Sequence, residues 1–147
     1  MKRYVLLCLT TMLAGCATHP VDLKEAKPVA ADRIFAFKEG DQATTGKVIV
    51  VRDLGQMAGL CPMAFYVDGT LAAQLYRGEA VSLQVPAGSH ILGAGPAGKG
   101  TCSWNNEAAH RRELSVTITA GSTSKIRLGL NQGGVIEISP TAFGGGK

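Results

Sequence analysis

The chain has 147 residues and a formal charge of +4, and Lys2 and Arg3 alone supply two of those charges. That length holds one modest domain with a core and is too short for two. The remaining basic residues are scattered and aromatics make up only 5%, which excludes the clustered basic surface of a nucleic-acid-binding protein.

The first fifteen residues read as an export signal. Lys2 and Arg3 precede the apolar run from Tyr4 to Leu13, and the small pair Ala14-Gly15 comes next. This is a charged segment, a hydrophobic segment and a small-residue cleavage site in order. The apolar run is about half of the roughly 20 residues a helix needs to cross the hydrocarbon core, so it predicts a cleaved signal and no permanent span.

Leu13-Ala14-Gly15-Cys16 resembles the lipobox of bacterial lipoproteins. The resemblance implies that residues 1–15 are removed, that the Cys16 thiol carries a diacylglyceryl group, and that Cys16 becomes an acylated N-terminus. Several acyl chains on one residue anchor stably where one is marginal. Ala17 stands where inner-membrane lipoproteins of enteric type often carry Asp. The resemblance therefore implies an outer-membrane anchor, with the protein facing the periplasm and its membrane contact made through Cys16. Residues 16–32, interrupted by Pro20 and Pro28, show no sustained period and are expected to form a flexible tether.

From residue 33 the period turns to two. Arg33 to Phe37 is expected as a first strand, and the all-apolar run Val48-Ile49-Val50-Val51 as a central strand covered on both faces. Asp68-Gly69 lies between Phe65-Tyr66-Val67 and Leu71-Ala72-Ala73, a pairing favoured in two-residue hairpins because both positions take positive φ. Val81, Leu83 and Val85 alternate with polar residues, and Pro86-Ala87-Gly88 supplies the next turn. Leu114, Val116 and Ile118, then Ile126, Leu128 and Leu130, predict two half-buried strands joined at Ala120-Gly121-Ser122-Thr123. Ile136 and Ile138 make a short last strand, and residues 141–147 are expected as a disordered tail. The sum is an all-β domain over residues 33–140, an antiparallel sandwich or open barrel of about seven or eight strands.

Four cysteines sort by compartment. Cys8 leaves with the signal and Cys16 takes lipid, which leaves Cys61 and Cys102 as a pair in an oxidising periplasm. A bridge between them closes a loop of about 40 residues, worth roughly 4 kcal/mol on the chain-entropy model.

Val51-Arg52-Asp53, Cys61, Val67-Asp68-Gly69, Gly78-Glu79, Val85-Pro86-Ala87-Gly88-Ser89-His90, Cys102 and Ala120-Gly121 together resemble a group of small bacterial lipoproteins of unknown function. Their domain is similar in kind to PEGA-type β-sandwich modules. The likeness spans about residues 33–140 and rests on turn and strand signatures, so it implies a fold and an envelope location and carries no catalytic residue.

Gly93-Ala94-Gly95-Pro96-Ala97-Gly98 matches a dinucleotide-binding pattern, yet the run Thr101 to Asn106 starts no amphipathic helix behind it, so no nucleotide is expected. The overlapping phosphate-loop pattern fails too, because Gly100 stands where Ser or Thr should meet magnesium. Ser103 and Ser122 lie in loops without the strand-to-helix elbow of a serine hydrolase. Arg111-Arg112 is expected as a solvated strand entry. Trp104 is expected to pack over the disulfide, with a sugar-stacking role beside Tyr66 as the rival reading. Cys61, Cys102, His90 and His110 are chemically adequate zinc ligands, but zinc sites usually announce themselves by paired ligands two to five residues apart, and these four are dispersed. The function expected is therefore a non-catalytic interaction or envelope-support module with an envelope protein partner and no cofactor. Its rival is a metal- or thiol-dependent envelope enzyme built on Cys61, Cys102, His90 and His110.

Overall fold

A computed structural model describes residues 19–55, 59–98, 100–102 and 107–142. Among them nine strands form two sheets packed face to face, with no closed barrel. In chain order they are β1 (Lys27–Pro28), β2 (Thr45–Arg52), β3 (Met63–Val67), β4 (Thr70–Leu75), β5 (Glu79–Pro86), β6 (Gly88–Pro96), β7 (Arg112–Ile118), β8 (Thr123–Leu130) and β9 (Ile136–Pro140). A single α-helical turn, α1 (Glu107–His110), precedes β7. The sheets run β1-β5-β2-β8-β9 and β4-β3-β6-β7.

The alternation in the sequence is what closes the sandwich. Val48 and Val50 of β2, Leu83 and Val85 of β5, and Ile126 and Leu128 of β8 meet Phe65 and Val67 of β3 and Leu92 of β6 in one core, as two inner faces about 10 Å apart require. Leu114 and Val116 of β7 and Ile138 of β9 pack against its rim. β2 is the middle strand of its sheet. Its apolar run is explained because Val51 is buried on the opposite face, with Ile49 half-covered.

The two-residue hairpin forms where Asp-Gly predicts it. Asp68 and Gly69 have φ of 48° and 77°, and the turn joins β3 to β4. Along β4 the register slips by one residue opposite Phe65 and Tyr66. The freed Ala72 carbonyl accepts hydrogen bonds from the Phe35 and Ala36 amides.

Four expectations need correction. The sandwich is not wholly antiparallel, since β2 pairs with β8 in parallel and β1 with β5 in parallel. β7 and β8 belong to different sheets, so the chain crosses between them at residues 119–122 and re-enters beside β2 in the same direction. Residues 33–37 are not a strand. A 3₁₀ turn covers Ala31–Arg33, Ile34 makes one isolated bridge to Ala73, and Phe37 turns to φ 60°, a conformation that ends extended pairing.

Nor are residues 19–32 a free tether. His19 and Leu54 exchange backbone hydrogen bonds, Lys27 donates to Gly78 and Val29 to Ala80, while Val21 and Val29 are buried. The segment is a strap laid across the end of β2 and along β5, because its few apolar residues find burial there and its amides find an unpaired edge. Gly93 to Pro96, the start of the apparent dinucleotide-binding pattern, belong to β6. The signal segment, Cys16, Ser103, Trp104 and residues 143–147 lie outside the described residues.

Candidate functional site

Cys61 and Cys102 are joined, with Cα atoms 5.2 Å apart across 41 residues of sequence. The bridge ties the loop before β3 to the short 3₁₀ turn Gly100–Cys102. Gly98 makes room for it: φ there is 122°, and a Cβ would fall 2.7 Å from the Cys102 Cβ. The third glycine of the apparent nucleotide motif therefore serves the bridge. The earlier two serve a side chain, since a Cβ on Gly93 would touch the Tyr66 Cβ at 3.4 Å, and one on Gly95 would lie 3.8 Å from the Tyr66 Cε2.

The four dispersed ligand candidates are not brought together. The cysteines are spent on each other, and His90 lies near the start of β6 while Cys102 comes after that strand's far end. His90 sets Nδ1 2.6 Å from Asp68 Oδ2 and Nε2 2.8 Å from the Pro86 carbonyl oxygen. Both neighbours are acceptors, so both contacts are hydrogen bonds only when the ring carries two protons. Asp68 also accepts from the Ile91 amide. That amide bond, with His90 behind it, holds the Asp68 carboxyl below its usual range. His90 thereby clasps the β3–β4 hairpin to the β5–β6 turn. His110 ends α1. No group of three or more metal-binding side chains exists among the described residues.

Tyr66 and Arg111 stack, with the guanidinium carbon 3.8 Å from the ring centroid, a cation–π contact. Arg111 is therefore not the solvated residue expected, although Arg112 is exposed. One face of Tyr66 is accordingly filled by the protein's own arginine, which weighs against sugar stacking on that face.

Two ion pairs carry no spacing signal in the sequence. Arg33 reaches Glu79 through two parallel hydrogen bonds of 2.7 and 2.6 Å, and its carbon lies 4.8 Å over the Tyr76 ring. Burial acts to raise the Glu79 carboxyl, but Arg33 and the Tyr76 amide together hold it below its usual range. On the outer face of β2, buried Asp53 faces Arg127 at 3.0 Å and accepts from the Val21 amide of the strap. Burial pushes the Asp53 carboxyl up to about 6, against the pull of Arg127 and that amide. Buried Arg52 donates to the carbonyls of Cys61 and Leu75, closing the core beside the bridge, and burial lowers its guanidinium to about 10.

What remains open is an edge. Among the described residues, β7 pairs with β6 on one side and ends its sheet on the other. Leu114 and Val116 face the core rim, while Glu113, Ser115 and Thr117 are exposed. Beside the strand's second half runs a groove of about 450 Å³, bounded by Val116, Thr117, Ser124, Lys125, Ile126 and Pro140. A depression of about 630 Å³ adjoins its start at Arg112 and Glu113. Within its span β7 has neither proline nor lysine, two of the devices that normally blunt an edge. The amphipathic alternation of this strand is legible in the sequence, whereas its edge position is not.

No family model, curated protein or solved structure matches the chain.

Proposed function

We propose that the protein is a lipid-anchored envelope module that binds an extended segment of a partner protein along β7. The anchor rests on Leu13-Ala14-Gly15-Cys16 behind a charged and apolar leader. The Cys61–Cys102 bridge supports an oxidising compartment, and outer-membrane sorting rests on Ala17. The observation that carries the binding role is the β7 edge, unpaired among the described residues, beside the groove at Val116 and Ile126.

About half of the β7 residues, those whose backbone groups point away from β6, offer donors and acceptors, and the groove offers apolar contact for alternate side chains of an added strand. Such recognition is non-catalytic and needs neither metal nor nucleotide. The rival metal- or thiol-dependent enzyme loses its thiols to the bridge for as long as that bridge stands.

The test is a photo-crosslinking residue at Thr117 in growing cells, identification of the captured segment, and amide exchange of β7 with that segment as a synthetic peptide. Binding along β7 predicts one recurrent segment, slowed exchange across Arg112–Ile118, and loss of both in Thr117→Lys. Capture no more selective than from exposed Ser82 on β5, or unchanged β7 exchange, would overturn it.

A further inference from the structure

We infer that the end of the sandwich carrying Leu54, Leu60 and Tyr76 rests on the bilayer surface, so that the strands stand away from the membrane with the Asp68–His90 clasp outermost. This rests on the lipid anchor proposed above and goes further, because it gives the domain one orientation instead of a swinging tether.

Chain length limits how far Cys16 can lie from the fold. Only Ala17 and Thr18 separate Cys16 from His19, and three Cα steps of 3.8 Å reach no more than about 11 Å. His19 is fixed to Leu54 by two backbone hydrogen bonds of 2.6 and 3.0 Å. The lipidated residue therefore cannot leave the neighbourhood of Leu54 while the strap is docked.

Three chain segments meet at Leu54: a Cβ on Gly59 would lie 3.0 Å from the Gly55 carbonyl oxygen and 3.1 Å from Arg77 Nη1, and one on Gly78 would touch the Leu54 Cδ2 at 3.0 Å. The sequence neighbours of these contacts are Leu54, Leu60 and Tyr76, with 46%, 86% and 38% of their surface exposed. Two leucines and a tyrosine bared at one end, beside the acyl chains, form an interfacial surface: apolar side chains enter the headgroup boundary, and tyrosine favours that level.

The strap explains why residues 19–29 are docked at all, since a loose linker would let the bare leucines turn to water.

The test uses the full chain, exported, processed and purified from membranes, in phosphatidylcholine–phosphatidylglycerol nanodiscs carrying a gadolinium-chelate lipid. Intact mass first establishes whether Cys16 is acylated. The inference expects amide signals of Leu54, Leu60 and Tyr76 to be attenuated several-fold more than those of Asp68, Gly69 and Ala87, and Leu60→Asp to shrink that contrast while Cys16 stays acylated. An acylated protein with uniform or reversed attenuation would overturn the orientation and leave the anchor standing. A free Cys16 thiol would overturn both.

Discussion

At the scale of single residues, the charged groups of this protein serve its architecture and two of them set its pH response. Asp53 titrates near 6 when folded, against 3.8 for an ordinary aspartate. The folded protein thus takes up a proton before the unfolded chain does, and stability falls as pH rises from about 4 to 6, by up to about 3 kcal/mol. Asp53→Asn is expected to remove that slope in urea melts across this window; an unchanged slope would mean that Asp53 is solvated. Glu79 has the opposite sign. Its folded value lies below the ordinary one, so its contribution is complete above the ordinary glutamate range and is lost as acid titrates the folded group. Glu79→Gln should cost about 1–2 kcal/mol at neutral pH, as loss of a part-buried bidentate pair does, and should weaken the acid limb of the melt. None of these pairings is readable from sequence, because partners such as Arg33 and Glu79 lie 46 residues apart and only the closed sandwich brings them into reach. Asp68 and Gly69 are readable, because a two-residue hairpin demands positive φ at both positions wherever it occurs. Gly69→Ala should cost about 1 kcal/mol in the same melts, since φ is 77° there and a side chain would meet open space.

Among the elements, the disulfide and β7 matter most. The bridge closes a loop of 41 residues, and its loss in Cys61→Ser/Cys102→Ser should lower stability by about 4 kcal/mol. The check is a denaturant midpoint compared with wild type and with the reduced protein; equal midpoints would show that the bridge adds nothing. Cysteine arithmetic gives this pair once the expected export signal and lipobox set Cys8 and Cys16 aside, because two thiols then leave one pairing. Period-two patterning marks β5, β7 and β8 for a similar reason: burial on one face imposes alternation regardless of what the neighbouring strand is, whereas an unbroken apolar run marks β2. Neighbour identity is not written in that pattern. The parallel pairing of β2 with β8, the edge position of β7 and the strap over β5 depend on contacts between distant segments. Residues 19–32 resemble a linker in sequence because their buried residues, Val21 and Val29, are too few to show a period.

For the whole molecule, these pieces make a sandwich with two unlike ends and, among the described residues, an open edge at β7. The end near His19 bears bare leucines, a tyrosine and the bridge; the far end bears the His90 clasp. Between them β7 offers its edge. An anchor at Cys16 would hold the first end to lipid and leave β7 exposed to a partner in the periplasm. That arrangement depends on the first sixteen residues being processed as their pattern implies. The most direct measurement is the intact mass of the full chain recovered from the membranes of an exporting bacterium, with and without reductant. A lipid-anchored, disulfide-bonded module gives a chain beginning at Cys16, carrying diacylglyceryl and acyl groups, and two hydrogens lighter before reduction than after. A chain that still begins at Met1, or that begins elsewhere with no lipid on Cys16, would contradict it.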